Sequence, residues 1–129
     1  MSYYFAKTIE AGDIEAVLER VRAALQEHGF GILTEIDLQT TLKEKISVDI
    51  RPCRNLGACN PSLAHKALQA EDKIGTMLPC NVIIQQVAPE VFEVAAVDPV
   101  ASVQAVEDEA LAEVAASVTN KLKAVTAAL

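Results

Sequence analysis

Apolar and polar residues change their spacing several times along the chain, and each change marks an element. Tyr4, Ala6 and Thr8 alternate with Tyr3, Phe5, Lys7 and Ile9, the period of two that predicts a first strand over 3–9. Gly12-Asp13 opens a helix in which Ile14, Val17, Leu18, Val21, Ala24 and Leu25 keep the helical period up to His28. Gly29 is the expected left-handed stop, because glycine enters that conformation without a Cβ penalty. A second strand spans Phe30 to Ile36. Asp37 then caps a shorter helix carrying Leu38, Leu42 and Ile46 at intervals of four.

Val48 to Ala58 is a third extended run, with Pro52 indicating an edge position or an irregular start. Asn60-Pro61 starts a third helix that ends near Asp72. Asn caps the free N–H groups, and Pro at the first helical position has no hydrogen bond to lose. Leu63, Ala64, Ala67 and Leu68 share one face of it. Gly75 breaks the chain, Met77 to Val87 forms a fourth strand, and Ala88-Pro89-Glu90 turns into a fifth strand over Val91 to Val97. Asp98-Pro99 caps a final helical region, led in by Val103 and Val106, with its apolar stripe on Leu111, Val114, Ala115, Val118, Leu122 and Val125.

Strict alternation of strands and helices would indicate a parallel α/β sheet. The short link between the last two strands demands an antiparallel hairpin, and one long helix closes the chain. The expected class is therefore α+β: a five-stranded, mostly antiparallel sheet covered by helices on one face, in one domain over residues 1–129.

Composition narrows the function. Hydrophobic residues make up 51% and aromatics 4%, so the core is aliphatic. No apolar run approaches the roughly 20 residues of a membrane span. No basic region followed by an apolar stretch opens the chain, so a cytoplasmic protein with three reduced cysteines is expected. A net charge of −7 and a pI near 4.7 oppose binding to phosphate backbones, and no nucleic-acid partner is expected.

Candidate chemistry concentrates between Leu56 and Asn81, where Cys59-Asn60-Pro61 and Leu78-Pro79-Cys80-Asn81 flank the third helix. In an antiparallel pairing the end of strand three lies beside the start of strand four, so Cys59 and Cys80 meet near a helix N-terminus. Such a site can hold a thiolate, a small anion or a soft metal. Cys59, ahead of the helix, is expected to be the more acidic thiol unless burial raises it. The plain alternative is that both cysteines are small buried apolar residues and Asn60 only a cap. No C-x-x-C pair, phosphate loop, nucleophile elbow or H-E-x-x-H is present, and no protein-held metal is expected. His65 is expected in solvent, and His28 at a helix C-terminus. Asp37 and Asp98 are better read as caps than as acid and base. Glu107-Asp108-Glu109 reads as a solvated acidic turn.

The segments G-F-G-I-L-T-E-I-D (29–37), G-A-C-N-P-S-L-A (57–64), G-T-M-L-P-C-N-V (75–82) and A-V-D-P (96–99) together resemble the small prokaryotic family called Domain of Unknown Function 302. Cys59, Asn60, Pro61, Pro79, Cys80, Asn81 and Asp98 carry the match; Cys53 belongs to no motif. The resemblance implies an α+β fold of TATA-binding-protein-like topology and a homodimer, and it brings no established activity or cofactor.

Two functional classes follow. One is a non-enzymatic binding module with a pocket near Cys59 and Cys80 for a small or anionic ligand, lined by Cys59, Asn60, Pro61, Pro79, Cys80 and Asn81. The other is a thiol-dependent redox or transfer protein using Cys59 or Cys80. The binding module is preferred, since a nucleophile normally needs a base beside it and no histidine is placed for that.

Overall fold

The computed structural model describes residues 2–129. Its strands are β1 (Tyr4–Glu10), β2 (Gly31–Asp37), β3 (Cys53–Cys59), β4 (Cys80–Ala88) and β5 (Val91–Val97). Its helices are α1 (Ile14–Glu27), α2 (Leu38–Ile46), α3 (Pro61–Ala70), α4 (Pro99–Ser102) and α5 (Glu109–Ala127), with a 3-10 turn at Ile74–Met77. The strands form one sheet in the order β1-β5-β4-β3-β2, every neighbouring pair antiparallel. The first and second strands thus occupy opposite edges, and α1 connects them across the sheet. Among the described residues no helix is long and apolar enough to cross a membrane.

Local chemistry sets the element ends. The Asp13 carboxylate accepts from the Ala16 amide at 2.9 Å, and the Asp37 carboxylate from the Thr40 amide at 3.0 Å. At the far end of α1, Gly29 has φ +84°. The Phe30 amide donates to the Leu25 carbonyl and the Gly29 amide to that of Gln26, so two free carbonyls are satisfied. The His28 ring lies 2.8 Å from the Ala24 carbonyl through Nδ1, as its helix-end position predicts.

One face of the sheet buries Leu56, Val82, Ile84, Phe92 and Val94. Val17, Val21 and Leu25 of α1 and Val118, Leu122 and Val125 of α5 pack on it to form the main core. A smaller cluster of Ala67, Ile74 and Leu111 lies apart, with Val114 packed against both.

Several expectations need correction. The third run does not begin at Val48: residues 47–52 are irregular, because Ser47 ends α2 in a left-handed conformation (φ 56°) and Pro52 cannot donate to a ladder. β3 lies in the sheet interior, so Pro52 marks an irregular start and not an edge; its carbonyl accepts from Gln86 at 3.0 Å. The fourth strand starts at Cys80 rather than Met77, after the 3-10 turn and a cis Leu78–Pro79 peptide. Pro79 is therefore outside the strand. The closing helical region is two helices. Glu107-Asp108-Glu109 is more than a solvated turn, since Asp108 caps α5 by accepting from the Leu111 amide at 3.0 Å. The stripe on α2 buries nothing, and Leu68 of α3 is 45% exposed.

Arg54 of the interior strand β3 joins three elements beside the β2 edge. Its guanidinium meets Glu15 of α1 at 2.9 Å and the capping Asp37 at 3.4 Å. The Thr40 backbone amide, opposed by burial and helped by the Thr40 hydroxyl and Arg54, holds the Asp37 carboxyl below its ordinary value. A depressed carboxyl contributes stability that is present above the unfolded pKa, about 3.9, and is lost as pH falls through the folded value. Asp37→Asn keeps a capping oxygen and removes that proton linkage. Urea unfolding at pH 6 and pH 3 is expected to show a smaller acid loss for the variant; identical losses would show that the Asp37 charge is unlinked to folding.

Candidate functional site

The register brings the two motifs together. Ala58 pairs with Cys80 and Gly57 with Asn81 between β3 and β4, while Gly31 pairs with Cys59 between β2 and β3. Cys59 ends its strand one residue before the Asn60 cap, whose side chain accepts from the Leu63 amide at 3.2 Å. That bond fixes the start of α3, and Asn60 also packs close to Gly29. Across β3, Gly57 leaves room for Pro79: a Cβ there would sit 2.7 Å from the proline Cγ.

A cavity of about 240 Å³ opens at this end of the sheet. Cys59, Asn60, Pro79, Cys80 and Asn81 border it. Pro61 does not; it is exposed at the first turn of α3, where its ring serves the helix start. The opposite walls are Leu63, Ala64 and Ala67 of α3, Ile74 and Met77 of the 3-10 turn, and Leu111, Val114, Ala115 and Val118 of α5. Pro99 and Ser102 of α4 close one side. Asp98 holds α4 there. Its carboxylate accepts from the Val100 amide and from the Thr119 hydroxyl of α5, both at 3.0 Å. Asp98 is thus a cap with a second, tertiary bond. The α4 and α5 wall was invisible in the sequence, apart from the matching Asp98-Pro99.

The cavity lies between the two apolar clusters, and among the described residues no charged side chain lines it. The bordering residues with polar side chains are Cys59, Asn60, Cys80, Asn81 and Ser102. His65 points into solvent and Cys53 sits at the other end of β3, about 20 Å away at strand rise. Among the described residues no group of three or more His, Cys, Asp or Glu is placed to hold a metal ion.

All three cysteines are free thiols. Burial pushes the Cys80 thiol up to about 11, and the nearby Cys59 adds to the rise. Burial also raises Cys53. At neutral pH Cys80 is therefore protonated and a poor nucleophile. Two consequences can be measured. Mass-resolved alkylation at pH 8 is expected to leave Cys80 as the slower of the two cavity thiols; Cys80 labelling faster than Cys59 would contradict its burial. The unfolded thiol ionises first as pH rises, so this group's stabilising contribution is complete below about pH 8.5 and falls away up to about pH 11. Cys80→Ala is expected to flatten that alkaline loss.

Comparison with known proteins gives a consistent result. The family model described as "Domain of unknown function DUF302" matches residues 5–129. A solved structure, an uncharacterised conserved DUF302 protein from Bacillus stearothermophilus, superimposes with a TM-score of 0.90 at 25% sequence identity, covering 99% of this chain and 98% of that one. No curated protein matches.

Proposed function

The chain belongs to the DUF302 family, whose description names no activity, and we propose that it acts as a non-enzymatic, homodimeric binding module of the cytoplasm with its small-ligand site at the Cys59–Cys80 cavity. The observation that supports the reading is convergence. Five of the six residues expected at the site, from segments some 20 positions apart, border one cavity beside a capped helix. Pockets of this kind combine an apolar lining with a few convergent polar groups. Support for a second copy comes from the β2–α2 edge, where Leu33 (65% exposed), Ile36, Ile46 (63%) and Val48 present apolar surface to solvent.

Native mass spectrometry of freshly purified protein tests both parts. The expected spectrum is a dimer carrying a retained small molecule. Monomer mass across micromolar to millimolar protein, confirmed by light scattering, would remove the dimer. Leu33→Lys is expected to shift the dimer towards monomer while leaving the monomer folded.

The second reading, a thiol-dependent redox or transfer protein, has one observation in its favour: two cysteines border the same cavity. Against it stands the raised Cys80 thiol. One fast, acidic cysteine in a thiol-reactivity profile would favour this second reading; three slow ones favour the binding module.

A further inference from the structure

We infer that the cavity selects a neutral, mainly aliphatic ligand with a single uncharged polar head, and rejects anions; this rests on the binding reading above. Three observations carry it. First, the lining includes no Lys, Arg or His, so an anion would enter an apolar site without a countercharge. Second, the chain carries a net charge of −7, which opposes the approach of anions. Third, the polar lining is concentrated at one end, with Ser102 of α4 as the exception. Cys59, Asn60 and Cys80 stand where β3 and β4 meet the start of α3, while the α3, 3-10 and α5 walls are apolar.

The Asn60 side-chain oxygen is already engaged by the Leu63 amide. Asn81 is exposed between Cys80 and Val82, which pack on the core, so strand alternation turns its amide to the other face of the sheet. The Asn60 NH2 is left to donate, which suits an alcohol, aldehyde or amide head. The size also fits. An apolar cavity of ~150 Å³ accepts benzene, so one of about 240 Å³ takes on the order of ten non-hydrogen atoms. The small-anion expectation drawn from the helix N-terminus is displaced by these linings, because Asn60 already caps that helix.

The test uses 1-aminonaphthalene, a fluorescent probe that is neutral at pH 8 and small enough for this cavity; the chain contains no tryptophan to interfere. The wild-type protein is expected to bind it, with displacement by decanol at least 10-fold more effective than by decanoate at pH 8, and none by inorganic phosphate. Ala64→Phe fills the cavity from α3 and should abolish the signal. Ser102→Phe, at an exposed position on α4, should do the same without touching the core. Decanoate competing as well as decanol would overturn the neutral-ligand class and leave the pocket standing. Probe binding that survives both substitutions, or no binding of either ligand type, would overturn the pocket itself and this inference with it.

Discussion

Gly57→Ala is expected to lower stability by about 3 kcal/mol, the upper part of the range for overpacked interiors, and to abolish probe binding at the cavity. Gly57 is buried in an interior strand, opposite Thr34 on one side and Asn81 on the other. A Cβ there would overlap the Thr34 hydroxyl and lie 2.7 Å from Pro79 Cγ. Thr34 is exposed and can turn its hydroxyl away. Pro79 cannot, since a ring has no free rotamer. The added methyl group must therefore push Pro79, and with it Leu78 and Cys80, which border the cavity. Urea unfolding with an unchanged slope gives the stability change. Pro79→Ala in the Gly57→Ala background should recover on the order of 1 kcal/mol as a coupling energy. An additive pair would show that the methyl group is accommodated elsewhere, and that Gly57 does not position the proline.

What the sequence discloses of this fold depends on whether the determining interaction is local. Asp13, Asp37 and Asn60 each cap a helix through a bond to an amide three residues on, so the residue type at that spacing is enough to find them. Gly29 and the β4–β5 hairpin are equally local. The meeting of Cys59 with Cys80 could be derived because a single antiparallel pairing determines it. The pairing of β1 with β5 is different, since it joins residues about 90 positions apart and leaves no trace in either strand's own pattern. The division of the last helical region was also missed. Val103 and Val106 mimic a continuing stripe, although Asp108 followed by Glu109 and Leu111 carries a helix-start signature. The far wall of the cavity was out of reach for another reason. A void is defined by volume that side chains leave unfilled, and hydrophobic spacing reports only which way they face.

Two truncations on α5 separate the filled core from the unfilled region beside it. Leu122 is fully buried among α1, α5 and the sheet, so Leu122→Ala opens a new closed void. Such a change costs 2–5 kcal/mol, rising by ~24 cal/mol for each Å³ left empty; about 4 kcal/mol is expected here. Leu111 is 2% exposed and equally large, but it belongs to the smaller cluster and already borders the cavity. Part of its surface has no packing partner to lose, and the space left by its truncation joins a volume that opens to solvent. About 2 kcal/mol is expected for Leu111→Ala. The two variants should also part company in binding. Leu111→Ala lengthens the cavity and should favour dodecanol over decanol, whereas Leu122→Ala should leave the wild-type preference unchanged. Urea unfolding midpoints and displacement of the neutral probe provide both readings. If Leu111→Ala proves as costly as Leu122→Ala and the chain-length preference does not move, Leu111 packs in a continuous core, and the space beside it is no binding cavity.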